Sequence, residues 1–147
     1  EDDVIENVKA IREFAGDRAV LRAFHFFEEN KRVDAEVEAL EKKDFATFFN
    51  KITESGDSSW KWLQNCYCNE TPDEQSITVA LALTKLYLDK IGRGVCRVHG
   101  GGFAGVIAAF LPKEETAGFT KYIDKALGEG SAYVMHIRPQ GAVKVEF

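Results

Sequence analysis

The residues best placed to do chemistry in this sequence are glycines. Gly100-Gly101-Gly102-Phe103-Ala104-Gly105 carries four glycines in six positions, a density that leaves backbone N–H groups without side-chain cover. Such a loop lets phosphate oxygens, or a neighbouring loop, approach the main chain closely. Its spacing is not the dinucleotide fingerprint, because a strand pattern follows it instead of a helix, and it lacks the Gly-Lys-Ser/Thr of a P-loop. On the residues alone two readings stay open, a purely structural hairpin turn and a loop that faces an anion. Arg97, two positions before the run, either points at a bound phosphate or faces solvent, and His99 abuts the run.

Little else supplies reagents. His25, within a Phe-rich segment, and His136, in a strand pattern, read as core-edge residues. Cys66, Cys68 and Cys96 are an odd set for a disulfide framework and, with three separated histidines, too sparse for zinc. Small buried thiols in a reducing, cytoplasmic setting are expected, with no metal site. Lys31 and Arg32, and Lys42 and Lys43, read as pairs on a solvated helix face. No Ser/His/Asp order and no general base stands out, so no catalytic residue is assigned.

The elements that must position the loop follow from periodicity. Val20, Ala23, Phe24 and Phe27 share one helical face after a possible Asp17 cap, and residues 17 to 42 form either one long helix or two with a break near Asn30. Phe45, Phe48, Phe49 and Ile52 predict a partly buried helix after an Asp44 cap. Gly56 to Ser59 then reads as a turn, with a short helical piece around Trp60 and Trp62. Thr71-Pro72-Asp73-Glu74 has the form of a capping box and predicts a helix to Ile91, apolar on more than one face and hence buried between two layers. From Val95 the period becomes two: strands at Val95–His99 and Val106–Leu111 flank the glycine run. A helix opened by Pro112 carries Phe119, Ile123 and Leu127, and strands are expected at Ala132–Ile137 and Ala142–Phe147. The order predicts an α+β domain, an antiparallel sheet with helices packed on one face, in a single unit over 1–147.

The chain of 147 residues is 45% hydrophobic and 29% charged with a formal net charge of −5, which excludes disorder as its main state and gives no global field for nucleic acid or an anionic membrane. It has no signal-peptide pattern and no apolar run long enough to span a bilayer. It begins at Glu1, and its only methionine is Met135; a processed or truncated chain is expected.

Val98-His99-Gly100-Gly101-Gly102-Phe103-Ala104-Gly105, following Gly94 and Arg97, resembles the third conserved motif of the GHMP kinases, a family acting on sugars and small metabolites. The galactokinase branch is the most similar, with its Gly-Gly-Gly-Phe-Gly-Gly run preceded by Arg-x-Thr. Arg22-Ala23-x-His25, Glu29-Asn30-x-Arg32-Val33, the helix with Ala39-Leu40 and Phe48, and Glu54-Ser55 followed by Ser58 resemble the same branch in the same order. Three positions depart from the pattern: His99 stands where Thr or Ser is common, Ala104 where the second glycine pair begins, and Gly56 where His is common. The resemblance implies a ferredoxin-like C-terminal domain whose loop 100–105 shapes the active-site cleft beside the phosphates; His99, by its adjacency to that loop alone, is expected to add a donor there.

In that family the N-terminal domain supplies the sugar site, the catalytic residues and a Gly/Ser-rich phosphate loop, and nothing here resembles them. The implied whole enzyme phosphorylates galactose at its anomeric hydroxyl with ATP and Mg2+, and this chain alone is expected to be inactive. Its implied partners are the missing N-terminal domain, galactose and ATP. The alternatives are another kinase of the family, a non-catalytic galactokinase-like sugar sensor, and a free-standing interaction module.

Overall fold

The computed structural model describes residues 1–103, 105–137, 139–141, 143 and 144. The architecture is α+β, and the chain divides into two compact units, Glu1–Pro112 and Lys113–Phe147.

The first unit opens with two short helices, α1 (Asp2–Glu6) and α2 (Val8–Ala15), and the long α3 (Asp17–Glu41). Helix α3 runs through Asn30 without a break. Its N-cap is Gly16, and Asp17 instead lies in the first turn, where a carboxylate suits the helix dipole, and pairs with Arg12 at 2.5 Å. Helix α4 (Phe45–Ser58) starts as the sequence predicts: the Asp44 carboxylate accepts from the Thr47 N–H at 3.0 Å and from its hydroxyl at 2.7 Å. Ile52 is buried on its inner face, Phe48 and Phe49 are half-buried, and Phe45 is exposed.

The turn expected at Gly56–Ser59 is not made. Helix α4 continues through it into a π-helical turn, Ser59–Leu63. The glycine serves packing instead, since a side chain at Gly56 would come within 3.1 Å of the Arg97 Cβ. Helix α5 (Ser76–Ile91) starts later than predicted, because Thr71–Glu74 closes a turn of its own through Glu74 N–H to the Thr71 carbonyl. Gly92, in the left-handed conformation, ends it.

Strands β1 (Val95–His99) and β2 (Val106–Phe110) form an antiparallel hairpin in which Val95 faces Phe110 and His99 faces Val106. Because successive side chains alternate in direction, the hairpin has two distinct faces. Arg97 and Phe110 turn toward α4, where Phe110 meets Phe49 at 6.3 Å between ring centres. Val98, 1% exposed, turns the other way and joins Ile77 of α5, Cys66, Leu81 and Ile107. The hairpin is thus flanked on both faces, not on one as expected. The outer side of α5 is open, with Leu86 64% exposed, so this helix is not enclosed between two layers among the described residues.

In the second unit a 3-10 turn (Lys113–Glu115) leads into α6 (Thr116–Leu127), where Phe119 and Ile123 are buried. Pro112 therefore opens a 3-10 turn before the α-helix. The strand expected at Ala132–Ile137 does not form: Ala132 N–H bonds the Asp124 carboxylate at 3.1 Å, and Tyr133, Met135 and Ile137 are exposed. A period-two pattern shows that a segment suits a sheet but supplies no partner edge. Of the strand expected at Ala142–Phe147, Ala142 and residues 145–147 lie outside the described residues, and Val143 and Lys144 are not in a strand. Among the described residues no helix is long and apolar enough to cross a membrane.

The α4–β1 contact is the joint to test. Gly56→Val is expected to destabilise the chain by about 2 kcal/mol or more in urea melts, since branching at Cβ forces α4 off the strand, with Gly56→Ala costing less.

Candidate functional site

The glycine-rich loop sits at the tip of the hairpin, and its two halves are held differently. Gly100, Gly102 and Phe103 adopt left-handed φ values of +70°, +76° and +59°. For Phe103 this conformation costs about 1–2 kcal/mol, and it is held by a short bond from its N–H to the Asn65 carbonyl, at 2.6 Å. Gly105 N–H closes the loop onto the Gly102 carbonyl at 3.1 Å. Gly102 also presses on Asn65: a Cβ there would overlap the Asn65 carbonyl oxygen and lie 2.7 Å from Nδ2 and 2.8 Å from Cβ. Gly100 and Gly101 form the exposed crest, where an added Cβ would meet nothing within 4 Å. Gly101 has no left-handed φ either, so among the described residues neither space nor backbone conformation calls for glycine at that position.

Asn65 is a firm anchor because its neighbours are tied down. It is 3% exposed and follows Gln64, a left-handed residue whose N–H caps the π-helical turn on the Ser59 carbonyl at 2.7 Å. The carbonyls of Gln64 and Leu63 accept from Arg18 Nη2 at 2.8 Å and from Arg22 Nε at 3.4 Å. Cys66, next in sequence, is in the core with Val98 and Ile77, and its carbonyl accepts from the Thr78 hydroxyl at 3.3 Å. Burial pushes the Cys66 and Cys96 thiols up, so both are neutral packing groups, and all three cysteines are free.

Beneath the loop, α3, α4 and β1 meet at a carboxylate. Glu29 accepts from the Ser55 hydroxyl, from Arg32 Nε at 2.8 Å and from Arg97 Nη1 at 3.2 Å. Burial pushes its carboxyl up, but these donors outweigh that and hold it below the usual carboxylate range. His25 Nδ1 pairs with the Ser58 hydroxyl at 2.9 Å, and burial holds the imidazole below the ordinary histidine range. Glu36, half-buried nearby, is pushed up by burial.

Of the residues singled out in the sequence, the structure joins Gly100, Gly101, Gly102, Phe103 and Gly105 in one loop; Ala104 lies outside the described residues. His99 is exposed at the end of β1. Arg97 neither reaches out to solvent nor stands alone, since its guanidinium lies on Glu29. Arg32, expected on a solvated face, is buried, whereas Lys31 is exposed. The Glu29–Arg32 spacing of three is a visible hint of that pairing. Asn65 is the residue sequence reading missed, because nothing local marks a buried asparagine thirty-odd positions from the loop it holds. In comparisons with known proteins, the chain matches no family model, no curated protein and no solved structure.

Two outcomes test this site. Gly102→Ala is expected to cost about 2–4 kcal/mol, because both φ and the Asn65 contact forbid a methyl, whereas Gly101→Ala stays within about 0.5 kcal/mol of the parent; equal losses in thermal melts refute the division. The second is a pH dependence. Glu29 and His25 have folded-state values below their unfolded ones, so their contributions are complete above the unfolded values and are lost as pH falls, His25 first from 6.5 downward and Glu29 from 4.5 downward through its lowered value. Glu36 has the opposite sign, so Glu36→Gln is expected to raise Tm at pH 7 and to lose that advantage as pH falls through the raised value. A Glu36→Gln effect that grows on acidification contradicts this assignment.

Proposed function

We propose that this chain is the C-terminal domain of a galactokinase of the GHMP kinase family, and that its glycine-rich loop closes over the phosphates of ATP. The observation that carries the reading is Gly101: an exposed glycine at the crest of the loop that no contact among the described residues requires. A missing side chain there reserves room for an outside group to approach the backbone, as transferring phosphates need. The ferredoxin-like sheet of such a domain is the finer architecture proposed, with β1 and β2 as its described part. The sugar and catalytic residues, and those that position Mg2+, are assigned to the N-terminal domain.

The outer face of α3 supports a docked domain. Phe26 (61% exposed), Val33, Val37 and Leu40 line one stripe of the helix, and Phe45 follows at the start of α4. Residues at this spacing share a helix face. An apolar stripe left exposed among the described residues is what a domain interface leaves when its other side is absent.

The test is enzymatic. These 147 residues alone are expected to show no galactose-dependent ADP formation, and the chain extended by the coding sequence preceding Glu1 is expected to show it. Turnover by the isolated chain, or an extended chain that phosphorylates no galactose, overturns the reading.

A further inference from the structure

We propose that Asn65 is a positioning residue: it sets the shape in which the glycine-rich loop offers its outward amides to a nucleotide's phosphates. The part concerning the nucleotide rests on the kinase reading above; the part concerning the loop does not.

A glycine can be needed in two ways, by the chain's own packing and backbone or by an outside group. Gly102 is needed internally, for both its left-handed φ and its contact with Asn65, whereas Gly101 is needed by nothing among the described residues. The boundary between the held and the open half of the loop is therefore drawn by Asn65. Its carbonyl takes the Phe103 N–H at 2.6 Å and its side-chain Nδ2 reaches back to the Gly101 carbonyl at 3.4 Å, so one residue grips the loop on both sides of Gly102. A Gly101 carbonyl turned inward to Asn65 orients the peptide it belongs to. In a planar peptide the N–H that follows then points away from that carbonyl, so the grip on one oxygen also directs an amide of the loop. The anchor is rigid for the reasons already given: Arg18 and Arg22 brace the two preceding carbonyls, and Cys66 is locked in the core. Phe103, a bulky residue in a left-handed conformation, keeps that conformation only while the grip holds. Asn suits the place for chemical reasons: it is uncharged, so it can be buried beside a phosphate, and it supplies the donor that Asp lacks.

The experiment compares the parent with Asn65→Ala and the isosteric Asn65→Asp. In the 147-residue chain, amide exchange and glycine resonances are read by NMR. Both variants keep the backbone carbonyl that binds the Phe103 N–H and remove the Nδ2 bond to Gly101; the loop opening that this loss eases is expected to speed exchange of the Phe103 N–H about tenfold, the weight of that one side-chain hydrogen bond, and to move the Gly100–Gly102 resonances while the Val98 and Ile77 amides stay protected. If Asn65→Ala loses protection everywhere, Asn65→Asp is read in its place; unchanged Phe103 exchange and glycine resonances, or general unfolding in both variants, overturn the positioning role. In the extended chain the KM for ATP is expected to rise about fivefold or more, further for Asp than for Ala because of its charge, with the KM for galactose unchanged. Equal changes in both KM values, or none, overturn the nucleotide part. An extended chain without galactose kinase activity removes the kinase reading alone, and the NMR comparison still decides on Asn65.

Discussion

Glu29 is the point on which the first unit is built. A carboxylate taken largely out of water is unfavourable unless it is paired and hydrogen-bonded, and removing one partner of such a pair costs about 3–5 kcal/mol. Here the partners come from three elements: Arg32 from its own helix, Ser55 from α4 and Arg97 from β1. Satisfying this one side chain therefore requires α3, α4 and the strand to be in place together. The close approach of α4 to β1 that brings Ser55 and Arg97 to it depends in turn on Gly56, where no side chain separates helix from strand. Glu36, half-buried beside the cluster, adds a second carboxylate facing the two arginines, and Arg32 Nη2 is buried without a hydrogen-bond partner among the described residues.

From Glu29 the constraint passes to the loop along β1. Arg97 is fixed by Glu29 on one face of the strand, and Val98 is fixed in the apolar cluster on the other. The next residue is His99, and there the strand ends. The chain thus enters the glycine run from a strand clamped on both faces, and it is met on the far side by Asn65, itself fixed by α3 arginines and by Cys66. The consequence is a loop with a rigid root and an open crest. Such a division suits recognition, since a preorganised backbone loses little entropy when a ligand arrives.

The hairpin and its loop were legible in the residues because turn chemistry and a period of two are local signals. So was the start of α4, where Asp44 meets the Thr47 amide three positions on. Gly56 misled for a physical reason: glycine marks a turn when it relieves backbone strain, but it equally serves a close contact with a partner far away in sequence, and the local pattern is the same for both. Thr71–Glu74 misled similarly, since the residues that cap a helix also close a turn. Arg32 looked like one of a solvated pair because, although its counterion Glu29 lies three positions back on the same helix, its burial and its neighbour Arg97 are tertiary. The alternation in 132–137 shows only that the segment suits a sheet.

By itself the sequence determined the mixed α+β class, the long amphipathic helices, the hairpin and the glycine-rich tip between its strands. These depend on contacts a few residues apart, whose physics is carried by side-chain type and spacing. Only the tertiary structure decided which glycines serve the fold and which stay open, that Arg97 turns to Glu29 and not outward, and that Asn65 holds the loop. Those assignments depend on groups separated by 36 and 68 positions, Asn65 to Gly101 and Glu29 to Arg97, brought together by folding. No local pattern encodes such pairings, because their energy comes from burial and from partners that exist only once the chain is packed.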